Sequence, residues 1–319
     1  MKIIASALLL IAFALTCARA EYAPEAVSGI PEEYFKPSDA PGRVEEFFYE
    51  TWEAFSYGDR LIPLTKRAIV YLPYGYDAAH AYGTVYLIHG MCNDETCLLG
   101  SPGDEKAFKN VLDNAIQCGV LEPLIIVCPT YNNLNSAGRD SDDFELGLRL
   151  SRLFYNEFFT DLLPAVEGAY SAYVSDVTPN GLKAARENRM LGGFSLGAVT
   201  VWRLFEHGAL DYFRLFVPMS CGIFLDDAYI HRQARAYDPD SYFILIMNGI
   251  YDSALQYDNE RVRLMRREDW FSEASADTPG NFAYLTGDEY GHGDMAFMQY
   301  AYNALCFFAG TKPAADATK

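Results

Sequence analysis

Three side chains suited to nucleophilic acyl chemistry stand far apart in the chain: Ser195, Asp252 and His292. Ser195 is the centre of "Gly193-Phe194-Ser195-Leu196-Gly197", which fits a nucleophile elbow. Such a turn from strand to helix is tight, so the residues two before and two after the nucleophile must lack bulk. The strained turn lifts the hydroxyl clear of the sheet. The helix that follows offers free backbone N–H groups to developing negative charge. Ser and Gly also build ordinary turns. The apolar "RML" before the motif and the helix-compatible "AVTVWRLF" after it favour the catalytic reading.

A serine hydroxyl needs a neighbouring base to take its proton, and the chain has only five histidines. His89 closes the run "YLIHG" and reads as a structural strand-end residue. His80 and His231 fall in polar loops, and His207 ends the helix after the elbow. His292 lies between glycines in "EYGHGDM", after the last strand and before the last helix. An acid must then fix the tautomer of that base and stabilise its charged form. Asp252 follows the apolar run "YFILIMNG" by one loop and is preferred to Asp288, Glu289 and Asp294, which are nearer in sequence. The order Ser, Asp, His is the one expected of α/β-hydrolases.

A tetrahedral intermediate also needs donors for its oxyanion. The backbone N–H of Leu196 is one, and the loop after "YLIHG" supplies the other through the N–H of Met91. Each such donor is typically worth ~3 kcal/mol. Tyr131, Asn132 and Asn133 follow another strand end and are candidates for lining a substrate cleft, or else for a polar surface loop. "DSDD", Asp140 to Asp143, lacks the spaced ligands and glycine of a calcium loop and reads as a solvated helix cap. Trp202 is assigned to the core.

These residues need a scaffold whose strand ends converge. The expected strands are "EEFFYETW", "KRAIVYLP", "TVYLIHG", "LIIVCPT", "RMLGGFS", "RLFVPMS", "YFILIMNG" and "FAYLTG". Several are short continuous apolar runs, as in a sheet covered on both faces. "DEKAFKNVLDNAIQ" places Phe108, Val111, Leu112 and Ile116 at helical spacing. "FELGLRLSRLFYNEFFTDLLPAVEGAY" is longer, and Pro164 kinks it or starts a second helix. Strand-helix alternation predicts an α/β fold with a mostly parallel central sheet and helices on both faces. The first two strands have no helix between them and predict an antiparallel N-terminal edge. Loops at the carboxyl ends of such strands carry the chemistry.

With 319 residues, half of them apolar, the chain can bury a large core in one domain. That domain is expected over residues 44–310, with 311–319 as a tail. A net charge of −18 argues against a phosphate-binding surface and thus against nucleic acid as partner. Lys2, the apolar run Ile3 to Leu15 and "ARA" before Glu21 read as a Sec signal peptide over residues 1–20. The run is too short to span a bilayer. Export is therefore expected, with a lipoprotein at Cys17 as the lesser alternative. Residues 21–43, rich in Pro and Glu, are expected as an exposed lead-in. Cys92, Cys97, Cys118, Cys128, Cys221 and Cys306 then remain. Sequence does not assign their pairing, although Cys92 and Cys97 are close enough for a small loop disulfide. Cys128 and Cys221 read as buried thiols. Oligomeric state is not legible.

The motifs together carry a resemblance. "VYLPYGYD", "VYLIHG", "LIIVCPTYNN", "FFTDLLPAVEGAYSAY", "GGFSLGAVTVW", "LDYFRLFVPMS" and "YAYNALCFF" are similar to the carbohydrate esterase family of bacterial feruloyl and acetyl-xylan esterases, over roughly residues 44 to 309. The resemblance implies an α/β-hydrolase fold, no cofactor, and hydrolysis of esters on plant cell-wall polysaccharide. It places Ser195, Asp252 and His292 on the family's triad positions. Feruloyl esters are the first expectation and acetyl esters the second. An acyltransferase on the same fold and a non-catalytic polysaccharide-binding relative are the alternatives. The chain departs from the family at "HGMCNDE", where members run glycine-rich, so Met91 and Cys92 add side chains beside the oxyanion loop. "GHGDM" also lacks the aromatic residue often found after the family histidine.

Overall fold

A computed structural model describes residues 21–133, 139–287 and 290–310. The expected signal peptide and C-terminal tail lie outside the described residues. Eight strands form one sheet: β1 (Arg43–Trp52), β2 (Pro63–Leu72), β3 (Gly83–Ile88), β4 (Leu124–Cys128), β5 (Arg189–Phe194), β6 (Leu215–Met219), β7 (Phe243–Gly249) and β8 (Phe282–Gly287). Their spatial order is β1-β2-β4-β3-β5-β6-β7-β8. β2 runs antiparallel to both β1 and β4, and every pairing from β4 onward is parallel. This is the predicted sheet with its antiparallel edge. Its burial follows position: β4, β6 and β7 are buried along their whole lengths, whereas the edge strand β1 alternates between covered and solvated residues.

The helices are α1 (Ala107–Gln117), α2 (Phe144–Glu157), α3 (Leu163–Ala169), α4 (Pro179–Ala184), α5 (Leu196–Glu206), α6 (Asp227–Ala234), α7 (Leu255–Met265) and α8 (Asp294–Ala309). They cover both faces of the sheet. Tyr86 and Ile88 of β3 enter one core with Phe154, Phe158 and Trp202, while Val85 and Leu87 enter the other with Phe108, Leu112 and Leu305. Trp202 is core, as expected. In α1 the periodic residues Phe108, Val111 and Leu112 are buried, but Ala115 rather than Ile116 completes the stripe. A π-helical turn, Phe158–Leu162, joins α2 to α3. Pro164 follows at the start of α3 with no break in helical dihedrals, so its missing N–H falls where the π turn has already shifted the hydrogen-bond ladder. Asp143 caps α2 by accepting from the Leu146 N–H at 3.0 Å, which bears out the cap in "DSDD". Ser141 within that run is fully buried and not solvated.

Three expectations need correction. The lead-in is not simply exposed: Ala23 and Tyr34 are buried, the Tyr34 ring lies edge-on to Tyr302, and the Ser28 N–H donates to Asn303 Oδ1 at 2.7 Å. His231 is on α6 rather than in a loop, buried 3.7 Å from Glu268. All six described cysteines are free thiols, so the Cys92–Cys97 loop disulfide is not formed. Among the described residues no helix is long and apolar enough to cross a membrane.

At the start of β5 a buried ion pair ties the sheet to α3. The Arg189 guanidinium donates to both oxygens of Glu167 and to the carbonyls of Leu182 and Tyr212, with both side chains almost wholly buried. Removing one partner strands the other charge in the core. Arg189→Met is expected to lower unfolding free energy by ~3–5 kcal/mol, read from urea denaturation. A loss below ~1 kcal/mol, the range of an exposed pair, would contradict the buried geometry.

Candidate active site

The elbow forms because two glycines permit it. A Cβ on Gly193 would lie 2.4 Å from the Gly197 carbonyl oxygen, and one on Gly197 would lie 2.1 Å from the carbonyl oxygen of Ile88 in β3. Contacts that short exclude every side chain at both positions. Between them Ser195 takes φ 57° and ψ −116°, a conformation unusual for a residue with a side chain. The strain is held by α5, buried over nearly its whole length, and by the Ser195 N–H donating to Met219 O at 2.9 Å. Ser195 caps the start of α5, with Leu196 as its first residue.

The loops after β7 and β8 bring the other two groups to this turn. His292 Nε2 lies 2.8 Å from Ser195 Oγ, and its Nδ1 lies 2.9 and 3.0 Å from the two oxygens of Asp252. The carboxylate has no hydrogen to give, so Nδ1 carries the proton and Nε2 faces the hydroxyl as acceptor. Asp252 is buried, and burial alone pushes its carboxyl up. The hydrogen bonds from His292 and from the Ala254 N–H at 2.7 Å outweigh that and hold it below the usual carboxylate range. Asp252 is therefore ionised at neutral pH. The Phe194 ring packs beneath the imidazole with centroids 4.9 Å apart, and stacks on Phe297. Asp294, an earlier rival, opens α8 instead, while Asp288 and Glu289 lie outside the described residues.

A cleft of about 190 Å³ opens over Ser195 and His292, walled by Met91, Phe144, Leu196, Val199 and Ile223 together with Ser253. Its apolar wall from Gly222 to Ile223 is pinned from behind. The Cys221 N–H donates to Asp258 Oδ2 at 3.0 Å, which also accepts from Asn248, and Arg261 holds the other oxygen. A larger groove of about 580 Å³, between His80, Tyr173, Glu187 and Phe308, lies at the amino ends of β3 and β4 and contains none of the triad.

Met91 reaches the cleft, 38% exposed, on the turn after β3. The preceding residue passes close to Ser195, since a Cβ on Gly90 would lie 3.2 Å from Ser195 Cβ. Tyr131, Asn132 and Asn133 do not line the cleft. They are 2%, 4% and 5% exposed and serve the protein's own hydrogen bonds. The Tyr131 hydroxyl donates to Gly90 O at 2.9 Å, Asn132 Nδ2 donates to Asn93 O at 3.1 Å, and Asn133 Nδ2 donates to Glu53 Oε1 at 2.7 Å.

Behind the turn sits His89, a strand-end residue as expected, with both nitrogens engaged. Nδ1 lies 2.8 Å from the Gly90 carbonyl and Nε2 lies 2.7 Å from Thr130 Oγ1. A carbonyl only accepts, so Nδ1 carries the proton, Nε2 accepts from Thr130, and Thr130 Oγ1 accepts from the Asn132 N–H at 3.0 Å. Complete burial pushes the His89 imidazole down to about 4. Between about pH 6.5 and 4 the unfolded chain then binds a proton that the folded chain refuses. Stability should fall as pH drops through that window, by up to ~3 kcal/mol from this residue. Urea unfolding of His89→Asn at stepped pH is expected to show a flatter decline. An unchanged slope would mean that His89 is protonated in the fold.

No family model matches the chain. Endo-1,4-beta-xylanase Y of Acetivibrio thermocellus is 31% identical over 288 residues. The match covers 87% of this chain but spans only 24% of that much longer protein. A solved FAE structure superposes with a TM-score of 0.76 at 30% identity, covering 91% of this chain and 95% of that one. The feruloyl esterase module from Clostridium thermocellum, complexed with sinapinate, matches with the same TM-score and coverage at 29% identity. A ferulic acid esterase from the anaerobic fungus Anaeromyces mucronatus, at 19% identity and TM-score 0.63, shares the fold. Identity at that level across nearly a whole solved relative, on an eight-stranded α/β-hydrolase sheet, places the chain plainly: it belongs to the carbohydrate esterase family that includes the feruloyl esterases, a family of serine carboxylic-ester hydrolases.

Proposed function

We propose that this chain is a secreted serine esterase that removes acyl groups from plant cell-wall polysaccharide, with feruloyl and related hydroxycinnamoyl esters as its substrates. The observation that carries the reading is the single imidazole hydrogen-bonded to both Ser195 Oγ and the buried Asp252. In the forward reaction His292 Nε2 takes the hydroxyl proton as Ser195 Oγ attacks the ester carbonyl. Asp252 stabilises the imidazolium that forms. The Leu196 and Met91 N–H groups receive the oxyanion. Collapse of the intermediate breaks the bond to the sugar oxygen, which takes the proton from His292. Water, deprotonated by the same imidazole, then attacks the acyl-enzyme, and the imidazolium returns that proton to Ser195 Oγ as its bond to the acyl carbon breaks and the acid leaves.

The cleft bears on the acyl group. Its walls of Met91, Phe144, Leu196, Val199 and Ile223 are apolar and extend well beyond what an acetyl methyl fills. An aromatic acid buries far more apolar surface against them, which favours it by roughly 25 cal/mol per Å² covered. The His292 side chain is a third exposed, so water can reach the acyl-enzyme, which favours hydrolysis over transfer. A purely binding relative has no need of the strained Ser195 or of the ordered pair behind it. Export rests on the signal-like N-terminal segment.

Purified protein is expected to release ferulate from methyl ferulate and from feruloylated arabinoxylan, faster than acetate from acetylated xylan. Ser195→Ala should lower kcat by at least ~10⁴-fold without a change in melting temperature. Failure of the wild type to cleave any aryl or acetyl ester would overturn the esterase reading, and an active Ser195→Ala would overturn its nucleophile.

A further inference from the structure

We infer that Tyr131 is a positioning residue of the oxyanion hole: with His89 it clamps the Gly90 carbonyl and so aims the Met91 N–H at the reacting carbonyl. The inference rests on the esterase reading and adds a residue to it. Its physical basis is the planar peptide. The Gly90 C=O and the Met91 N–H belong to one trans unit and point in opposite directions. The carbonyl is turned inward, where it accepts from the Tyr131 hydroxyl at 2.9 Å and from His89 Nδ1 at 2.8 Å. Both donors are buried, and their rings stack with centroids 4.5 Å apart. The N–H on the other side of the same plane therefore faces outward, toward the cleft that Met91 and Ser195 share.

The clamp opposes rotation of this peptide. Gly90 has no Cβ to resist rotation, and the next residue but one, Cys92, takes φ 57°. Rotation of the 90–91 peptide would present a carbonyl oxygen to the oxyanion in place of a donor, exchanging attraction for repulsion. The same strand-end loop fixes the far side of the turn. The Cys92 N–H donates to Ser141 O at 3.0 Å, and Asn93 O accepts from Ser141 Oγ at 2.8 Å. The segment read from sequence as substrate-lining thus acts one layer back.

Tyr131→Phe removes one donor and leaves the His89 bond. Its kcat on methyl ferulate is expected to fall by about 10- to 100-fold, a fraction of the loss seen when an oxyanion donor is deleted, with KM within about twofold of wild type. An aryl trifluoromethyl ketone, whose adduct with Ser195 carries the oxyanion, should weaken as an inhibitor in proportion to kcat/KM. Affinity for the product ferulate should stay the same. A merely structural role would move ferulate affinity and melting temperature together with kcat. His89→Asn, which retains an amide donor at the Nδ1 position, should be milder than His89→Leu, and this pair decides the question if Tyr131→Phe proves unstable. A wild type active on methyl ferulate with a Tyr131→Phe of equal kcat, or equal losses in the two His89 variants, would overturn the inference and leave the esterase reading standing. A wild type inactive on every ester would overturn that reading itself.

Discussion

The packing of Gly197 against the carbonyl of Ile88 is the constraint on which the rest of the site depends. With no room for even one carbon at position 197, the first turn of α5 seats directly on the end of β3. That seat forces the chain to reverse within a few residues and holds Ser195 at positive φ. It also sets the turn after β3 beside the nucleophile, so that Gly90 and Ser195 nearly touch. One close approach therefore places both the Ser195 hydroxyl and the segment that, on the proposed function, offers a donor to the oxyanion. The strained turn is tolerable because it is embedded between β5 and α5, both buried almost throughout.

Around that point the electrostatics are arranged so that charge appears where it is stabilised. Asp252 stays ionised in a buried setting because His292 and the Ala254 N–H supply hydrogen bonds that outweigh desolvation. His89, at comparable depth but without a carboxylate partner, is kept neutral by burial. The two imidazoles, one against Ser195 and one behind the turn after β3, have surroundings that give them opposite duties. One can accept a proton in the reaction, while the other holds a carbonyl. The loop bearing Thr130 is itself tied down by Lys66 Nζ, which donates to Thr130 O at 2.9 Å and pairs with buried Glu157. The rigidity behind the oxyanion turn thus extends to the antiparallel edge of the sheet, and the β1–β2 edge becomes part of the support for the chemistry.

The elbow, the succession of strands along the chain and the meeting of Ser195, Asp252 and His292 are legible in the sequence because each rests on a local pattern. Flanking glycines report a tight turn, apolar runs report covered strands, and a polar residue just past such a run reports a strand end. Which way a strand-end side chain then turns is not local. Tyr131 is buried because His89, from another strand, offers it a ring face and Gly90 offers it a carbonyl. Nothing in "PTYNN" carries that information. The lead-in misled for a related reason. Its anchors are single contacts, such as Tyr34 on Tyr302 and Ser28 on Asn303, spread along a segment with no periodicity. The departure at "HGMCNDE" resolves in the same terms. The Met91 side chain enters the cleft wall, while the backbone of the turn is held from behind by hydrogen bonds that do not involve that side chain.

The central claim is that Ser195 carries the acyl group, and the most direct measurement is acid-quenched mass spectrometry during turnover of an activated hydroxycinnamate ester. The account predicts one hydroxycinnamoyl adduct per chain, within the first turnover, on the peptide that contains Ser195. Absence of any adduct under conditions of turnover, or an adduct confined to another nucleophile such as the exposed thiol of Cys92, would contradict it.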